Sequence, residues 1–185
     1  MTIYYTHDFN SRIKGESHRL LEKAIAIHIG DSNKAAELVS NIHSCTELGK
    51  PMIDGFNDFS ISHSRNTWAV LIADSQCGLD VQYTQNSNVA VIAKRYYAAE
   101  EYELVSSGGG VDEFFRIWAR REALVKAVGT TIVNSNLPCV LGSRAEFEDG
   151  IWIIKDVDIP KCEGSDKYYA AVCVKADEEV SYVRI

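Results

Sequence analysis

The sequence lacks the cysteine spacings of a disulfide framework or a zinc site. Its five cysteines are odd in number and widely separated, at Cys45, Cys77, Cys139, Cys162 and Cys173. No two of them form a Cys-x-x-Cys pair, and no cysteine–histidine cluster has the spacing of zinc ligands. We therefore expect neither a disulfide framework nor structural zinc.

The sequence also lacks a hydrophobic run of membrane-spanning length. Its longest uninterrupted run, residues 68–73, is far shorter than the roughly 20 residues that a membrane helix needs. The first ten residues, MTIYYTHDFN, lack the basic segment and the apolar stretch of a signal peptide. These two features predict a cytoplasmic protein without a membrane partner.

Positive charge is scarce. Nineteen lysines and arginines face 26 acidic residues, which gives a net charge of −7. Such a chain binds polyanions poorly without a strong local basic patch, and because none is evident we expect no nucleic-acid partner. The sequence also lacks the phosphate-binding loops GxGxxG and GxxxxGK[ST] and the GxSxG turn of serine hydrolases. No cysteine has a recognisable catalytic surround, so covalent catalysis is disfavoured.

The composition is that of a folded protein. Hydrophobic residues make up 46% of the 185-residue chain, enough to form one domain or two small, intimately packed halves. Apolar spacing predicts helices over residues 18–29, 34–40, 88–105 and 114–129. Ser17 is predicted to cap the first helix and Gly30 to end it, while SSGGG at 106–110 is predicted to be a flexible loop.

Alternating or continuous apolar residues predict the strands. They cover residues 56–64, 68–73, 79–83, 151–157 and 168–174. An irregular strand is expected at 41–47, followed by a turn at 49–51. The strands at 68–73 and 79–83 are predicted to form a hairpin through residues 74–78. YAAVCVK at 169–175 resembles WAVLIAD at 68–74, which suggests two halves of similar architecture.

Charged residues interrupt the apolar face of the helix at 114–129. Phe114, Trp118 and Val125 follow the three- and four-residue spacing of a buried stripe, but Glu122 and Lys126 lie on the same ridge as Trp118. A glutamate and a lysine four residues apart can pair across one turn and stabilise a helix by about 0.2–0.5 kcal/mol. A site that uses both charges is the alternative interpretation.

A second carboxylate lies in the middle of a predicted strand. Asp80 and Gln82 face one side of the strand, because side chains alternate with a period of two. Taken alone, Asp80 is as readily explained by a capping or salt-bridge role. Together with Glu122 it forms a pair of oxygen donors that suits Mg²⁺, with open positions for water or substrate phosphate. Metal-dependent phosphate chemistry is the hypothesis that follows.

Several further residues are candidate phosphate contacts. His63, in SISHS, is more often explained as a structural hydrogen-bonding residue, yet an imidazole beside Ser62 and a second serine is a reasonable phosphate-contact set. Lys50, in the Gly-Lys-Pro turn, is most simply a solvated surface residue. Lys14 and Arg19 lie on either side of the first helix start and indicate nothing individually.

Four segments together resemble the phosphopantetheinyl transferase superfamily, in its large single-chain type that activates surfactin synthetase. They are GKP at 49–51, FNDFSISHS at 56–64, GLDVQ at 78–82 and WARREALVK at 118–126. AKRYYAAEEY at 93–102 and KGESHR at 14–19 resemble further family segments. The resemblance covers most of residues 14–130 and fades in the last third.

The resemblance implies an α+β fold of two similar α/β halves in a pseudo-twofold arrangement. Each half would contain a small, mainly antiparallel sheet packed by helices. Residues 1–84 would form the N-terminal half, on the 3′-phosphate and adenosine side of the substrate. Residues 85–185 would form the C-terminal half, with the metal-ligand helix and the carrier-protein side. The large type also implies one compact unit and a monomer.

The resemblance further implies transfer of phosphopantetheine from coenzyme A to a serine of an acyl or peptidyl carrier protein, with release of 3′,5′-ADP. Asp80 and Glu122 would hold Mg²⁺, Glu122 would accept the serine proton, and Lys126 would stabilise or protonate the leaving phosphate. Lys50, Ser62 and His63 would bind the 3′-phosphate and adenosine side, with Lys14 and Arg19 as further cationic contacts. The pathway would be fatty acid or secondary-metabolite biosynthesis.

Two residues depart from the family pattern. Gln82 occupies the position of a third acidic metal ligand in many members, which predicts a weaker affinity for Mg²⁺. Arg121 replaces the usual lysine before the glutamate and changes hydrogen-bond geometry while keeping the charge. A coenzyme A or carrier-protein binding module without turnover, or a Mg²⁺-dependent phosphohydrolase, are the alternatives. Since carrier domains tend to be acidic, the helix around Arg116–Arg121 and residues 98–110 are the expected docking surface.

Overall fold

The computed structural model describes residues 1–44, 50–85, 88–134, 136–148, 150–160 and 167–185. Its elements, in chain order, are β1 (Thr2–Thr6), α1 (Glu16–Ile29), α2 (Ser32–Ser40), β2 (His43–Ser44), β3 (Pro51–Met52), β4 (Asp58–Ser64), β5 (Thr67–Ala73), β6 (Cys77–Tyr83), α3 (Val89–Tyr96), α4 (Ala99–Leu104), a π-helical turn (Val105–Gly109), α5 (Gly110–Val128), β7 (Arg144–Phe147), β8 (Gly150–Val157), β9 (Tyr168–Val174) and β10 (Ser181–Arg184). The predicted irregular strand at 41–47 and turn at 49–51 fall partly outside the described residues.

Helix α1 buries the face that the apolar spacing predicted, with Leu20, Leu21, Ala24 and Ile25 in the core. The predicted cap is wrong. The helix begins at Glu16, before Ser17, and its N-cap residue is a glycine in the left-handed conformation. The Ser17 hydroxyl instead accepts a hydrogen bond from the Trp68 indole at 2.8 Å, because a buried indole N–H needs an acceptor.

Two four-stranded sheets form the framework, in the orders β10-β1-β5-β4 and β6-β9-β8-β7. All neighbours are antiparallel except β1 and β10, which are parallel. Helices pack on these sheets, so the predicted α+β class with small, mainly antiparallel sheets is confirmed. A strand, then helices, then antiparallel strands recur in β1–β5 and again in β6–β9.

The predicted hairpin between residues 68–73 and 79–83 is wrong. In the described chain, β5 pairs with β1 and β4, whereas β6 pairs with β9 of the other sheet. Residues 74–76 therefore carry the chain from one sheet to the other. The hairpin is formed by β4 and β5, where Arg65 takes a positive φ of 53° in the turn. β10 returns to pair with β1, so both ends of the chain contribute to the first sheet.

Three serines of β4 join the edges of the two sheets, and we call them the serine seam: Ser60, Ser62 and Ser64. Their hydroxyls accept hydrogen bonds from the backbone N–H groups of Leu79, Val81 and Tyr83 in β6, at 3.0, 3.1 and 2.9 Å respectively. Alternate residues of one strand thus bond alternate residues of the next, as the period-two geometry of strands requires. The seam thus provides acceptors for backbone N–H groups of β6, an edge strand that would otherwise leave these donors unpaired.

Helix α5 lies across the second sheet and buries Phe114, Phe115 and Val125 as predicted. The predicted flexible loop at 106–110 falls largely in the π-helical turn, which is kinked at Gly108, where φ is 129°, before α5 begins at Gly110. The predicted helix at 88–105 is divided, because Tyr97 and Ala98 take extended backbone angles between α3 and α4. Among the described residues, no helix combines the length and the apolar character needed to span a bilayer.

Candidate functional site

Asp80 is a buried acid that the protein holds from three sides. It lies in β6 and is 2% exposed. One carboxylate oxygen, Oδ1, accepts hydrogen bonds from the Ser62 hydroxyl at 2.9 Å and from the Lys126 ammonium at 2.6 Å. The other, Oδ2, accepts one from the Gln82 amide at 2.7 Å. A buried carboxylate with three donors is the compensated arrangement that burial of a charge demands.

Glu122 is half-buried on α5 and, unlike Asp80, has no hydrogen-bond partner among the residues that the structure describes. Within the described ranges its carboxylate forms no hydrogen bond and no ion pair. Burial raises the pKa of Glu122 above its usual value, the negative charge of Asp80 raises it further, and Lys126 opposes the shift. The two carboxylates therefore act on one another electrostatically, as expected for acids that converge on one site.

The predicted ion pair between Glu122 and Lys126 is wrong. Lys126 instead bonds to Asp80 and to the backbone carbonyl oxygen of Leu79, at 2.6 and 3.1 Å. The strand offers a buried carboxylate and a carbonyl oxygen side by side, whereas an exposed pair across a helical turn is worth only about 0.2–0.5 kcal/mol. Lys126 thus links α5 to β6 and forms no ion pair with the Glu122 carboxylate.

Gly78 allows α5 to lie directly against β6. A Cβ atom at this position would overlap the carbonyl oxygen of Ala123 and lie 2.6 Å from the backbone nitrogen of Ala127. Those contacts are with main-chain atoms, so a side chain at residue 78 would force the helix away from the strand. Gly78 lies two residues before Asp80, and Ala123 follows Glu122. The close approach therefore sets the separation of the two carboxylates.

The structure separates Ser62 from His63. Because they are adjacent in β4, their side chains face opposite sides. The Ser62 hydroxyl is buried against Asp80, whereas His63 is exposed and its ring packs against Phe9, with centroids 5.0 Å apart. The predicted combination of imidazole and flanking hydroxyls does not form.

Lys50 lies at the other end of β4. Its ammonium group bonds to the Asp58 carboxylate at 2.5 Å and to the backbone carbonyl oxygen of Cys77 at 3.0 Å. Asp58 and His63 are separated by five residues of an extended strand, or about 17 Å at 3.3 Å per residue. Lys50 and His63 therefore face different parts of the molecule.

Lys14 and Arg19 are exposed at the start of α1. Arg19 pairs with Glu16 at 3.2 Å, and Glu16 also accepts a hydrogen bond from the backbone N–H of Asn10. Asn10 follows Phe9, the residue against which His63 packs. The first turn of α1 and His63 thus belong to one end of the first sheet, and we find no hydrogen bond from either to the Asp80 cluster in the described chain.

Sequence reasoning missed a buried ion pair beside the site. Arg121, 3% exposed, bonds to Glu101, 0% exposed, at 2.6 Å. Glu101 also accepts hydrogen bonds from the backbone N–H groups of Ala98 and Val140. The signal was an arginine among the apolar residues of α5, which needs a buried acid, but the sequence does not indicate which of the nearby acids it is.

The expected docking surface on α5 is not available in full. Arg120 is buried and bonds to the backbone carbonyls of Val140 and Gly142 and to the Asp156 carboxylate at 2.9 Å. With Arg121 also buried, two of the arginines of this segment face the interior. The prediction that they form a basic surface for a carrier protein is therefore wrong for these two residues.

An open cleft lies where the end of β6 meets the start of α5. It has a volume of about 620 Å³ and is lined by Arg65, Tyr83, Thr84, Gln85, Gly109, Val111 and Asp112. The Arg65 guanidinium stacks on the Tyr83 ring, 3.0 Å from its centroid. The turn between β4 and β5, the end of β6 and the start of α5 all line this cleft, so a ligand there would contact elements of both sheets.

Comparison with known proteins shows that this chain is similar to several 4′-phosphopantetheinyl transferases. Residues 76–151 match the model of the 4′-phosphopantetheinyl transferase superfamily. A putative 4′-phosphopantetheinyl transferase of Haemophilus influenzae is 31% identical over 126 residues, which are 64% of this chain and 51% of that protein. The 4′-phosphopantetheinyl transferase HetI of Nostoc is 35% identical over 96 residues, 46% of this chain and 40% of its own.

A third relative, the 4′-phosphopantetheinyl transferase gsp of Aneurinibacillus migulanus, is 30% identical over 86 residues, or 45% of this chain and 36% of that protein. The chain therefore spans about half, or less, of the curated relatives it matches. The family resemblance predicted from the motifs is confirmed. The matched segment contains Asp80, Glu122 and Lys126.

Proposed function

We propose that this chain, of which residues 76–151 match the 4′-phosphopantetheinyl transferase superfamily, transfers 4′-phosphopantetheine from coenzyme A to a serine of an acyl or peptidyl carrier protein and releases 3′,5′-ADP. The observation that carries the proposal is the half-buried Glu122, which has a raised pKa and no partner among the described residues, beside the Asp80–Lys126 pair. A base, an acid and a second carboxylate thus lie together.

The donor set fits Mg²⁺ in kind. Asp80 and Glu122 offer carboxylate oxygens, the ligands that this ion prefers, and Glu122 has no hydrogen bond to displace within the described part of the chain. We propose that these two residues hold Mg²⁺. When bound, the ion would neutralise charge on the coenzyme A pyrophosphate and on the departing group. Burial raises the pKa of Glu122 most and the charge of Asp80 raises it further, and a cation held by both carboxylates would offset this second contribution.

In the proposed reaction the hydroxyl oxygen of the carrier serine attacks the phosphorus that bears the pantetheine arm. Glu122 accepts the proton of that hydroxyl, directly or through one water. The bond from this phosphorus to the oxygen bridging the two phosphates breaks, and the electron pair leaves with 3′,5′-ADP. Lys126, which Asp80 and the Leu79 carbonyl hold at β6, stabilises or protonates the departing phosphate.

We further propose that the 3′-phosphate and adenosine side of coenzyme A lies on the first sheet. His63, Lys14 and Arg19 supply positive charge or hydrogen bonds at one end of that sheet, and Lys50 lies at the other end of β4. The open cleft at Arg65 and Tyr83 leaves room for a substrate between the sheets. Cytoplasmic location and a monomeric state are part of the same proposal.

A non-catalytic binding module is the second candidate. Its support is Gln82, whose amide bonds to Asp80 at the position of a third acid, and no cluster of three potential metal-ligating residues occurs in the described ranges. With one carboxylate fewer, coenzyme A and a carrier could bind without turnover.

The test is incubation with coenzyme A, Mg²⁺ and a panel of apo carrier proteins, followed by intact mass spectrometry of the carrier. A mass gain of one phosphopantetheine arm supports the transferase. Binding of coenzyme A without a mass gain on any carrier supports the binding module. Cleavage of coenzyme A in the absence of a carrier would identify a phosphohydrolase. Glu122→Gln serves as the control that keeps the fold and removes the base.

A further inference from the structure

The three hydroxyls of the serine seam all bond to β6, but they differ in whether they also bond to a carboxylate. Ser60, Ser62 and Ser64 each accept a hydrogen bond from a backbone N–H of β6. Ser62 is the member that also donates a hydrogen bond to a carboxylate, to Oδ1 of Asp80 at 2.9 Å. Within the seam, Ser62 is therefore the residue that connects the first sheet to Asp80.

The direction of the Ser62 hydrogen bonds follows from its chemistry. A serine hydroxyl has one proton and two acceptor lone pairs. Since Ser62 accepts from the Val81 N–H, its one proton is directed to Asp80, and both side chains are buried, at 5% and 2% exposed. A buried carboxylate that receives this bond is restricted in rotation about its own side-chain torsions.

The hydrogen bond from Ser62 is made to the same Asp80 oxygen that contacts Lys126, a residue of the proposed reaction. Oδ1 of Asp80 is also the atom that Lys126 contacts, while Gln82 holds Oδ2. Without the Ser62 hydroxyl, the position of Oδ1 would depend on the lysine, which is 30% exposed and flexible. The orientation of Asp80, and with it that of Lys126, would no longer be set by the first sheet.

We propose that Ser62 is a positioning residue, which orients the Asp80 carboxylate for metal binding and for its contact with Lys126, and is not a contact of the coenzyme A phosphate. The inference rests on the proposed function for its catalytic part. Groups that orient a metal ligand through a hydrogen bond typically contribute about 10- to 100-fold to metal affinity or activity.

Ser60 provides a matched control for this inference. It is buried to the same extent as Ser62, 4% against 5%, lies two residues earlier in the same strand, and accepts from the Leu79 N–H at 3.0 Å. Ser60→Ala removes the same kind of seam bond as Ser62→Ala but leaves every hydrogen bond of Asp80 intact. Ser62→Ala should lose more thermal stability than Ser60→Ala, because it also removes one of the donors to the buried Asp80 carboxylate.

The experiment measures Mn²⁺ binding to the metal-free protein by electron paramagnetic resonance, together with kcat and KM for coenzyme A. We expect Ser62→Ala to lose about 10-fold or more in Mn²⁺ affinity and in kcat, with little change in KM. Ser60→Ala should stay within about twofold of the unaltered protein in both. Ser62→Thr, which keeps the hydroxyl, should regain Mn²⁺ affinity relative to Ser62→Ala.

Three results would overturn the inference. The first is equal Mn²⁺ affinity in Ser62→Ala and Ser60→Ala. The second is a rise in KM for coenzyme A that is absent with 3′-dephospho-coenzyme A, because that result makes Ser62 a phosphate contact. The third is an unaltered protein that binds no Mn²⁺. If Ser62→Ala does not fold, Ser62→Cys, nearly isosteric with a weaker donor, carries the same comparison. Because Mn²⁺ binding needs no carrier, failure of transfer alone would count against the proposed function and not against this role.

Discussion

Two ion pairs on helix α5 lie five residues apart and differ in kind. Arg121 and Glu101 are 3% and 0% exposed, and further hydrogen bonds fix the acid. The side chains alone of Lys126 and Asp80 are 30% and 4% exposed, and a carboxylate with no partner in the described chain lies beside them. In the fully buried Arg121–Glu101 pair, a ligand that replaced one partner would leave the other charge buried and unpaired. The partly exposed Lys126–Asp80 pair can accept a ligand without that cost.

The comparison explains how one helical segment serves two purposes. Arg121 and Glu122 are adjacent in the chain but face different surroundings, because successive residues of a helix are rotated by about 100°. Arg121 anchors α5 to α4 through Glu101, and Glu122 faces β6. The anchor holds the helix in place, so Glu122 can keep a raised pKa with no hydrogen bond from any residue that the structure describes.

Removal of the unpaired carboxylate gives the largest expected effect. Glu122→Gln should reduce transfer to a carrier protein by about 10²- to 10⁴-fold, the usual contribution of a general base, and further through loss of a metal ligand. Stability to urea should be unchanged or higher, because a half-buried charge is removed. Single-turnover mass spectrometry of the carrier measures the loss. Transfer close to that of the unaltered protein would contradict the assigned role.

Removal of one member of the fully buried pair should act on stability. Glu101→Ala leaves Arg121 buried without its counter-ion, which typically costs about 3–5 kcal/mol. The free energy of unfolding in urea measures it. The matched control is Glu37→Ala, which breaks the exposed pair with Lys34 and should cost at most about 1 kcal/mol. Equal losses in the two variants would mean that burial does not distinguish these pairs.

A side chain at Gly78 should separate the two halves of the site. Gly78→Ala is expected to cost about 1–3 kcal/mol of stability, because the added Cβ meets main-chain atoms of α5. Activity should fall by more than the folded fraction explains, since the helix that bears Glu122 moves away from Asp80. Gly142→Ala is the control, as its nearest atom would be 3.5 Å away. A Gly78→Ala protein with full activity would show that the close approach is dispensable.

The raised pKa of Glu122 predicts the smallest effect, a dependence of stability on pH. The folded protein holds the Glu122 proton above the ordinary glutamate value of 4.5, so it binds more protons there than the unfolded chain. In metal-free buffer, its stability relative to Glu122→Gln should therefore be greatest below pH 4.5 and fall as pH rises through the raised pKa. Urea titrations of both proteins across this window measure the difference. A relative stability that increases with pH would reverse the sign of the argument.

The sequence predicted which residues form the candidate site, but not the hydrogen bonds and ion pairs between them. Asp80 and Glu122 were recognisable because each is a carboxylate at a position where periodicity calls for burial. Their arrangement was not, because the partner of Lys126 lies 46 residues away and local spacing favoured the glutamate one turn before it. The Glu101–Arg121 pair was missed for the same reason, because its members lie 20 positions apart in the chain.

Local sequence patterns were enough to indicate which apolar residues are buried and in which kind of element they lie. The inner face of α1 and the strands β8 and β9 follow from apolar periods of 3.6 and 2, which depend on near neighbours alone. Tertiary structure decided that β5 and β6 lie in different sheets, that β4 meets β6 through serine hydroxyls, and that Lys126 bonds to Asp80. These outcomes depend on contacts between distant segments, and such contacts depend on how the sheets and helix α5 pack together.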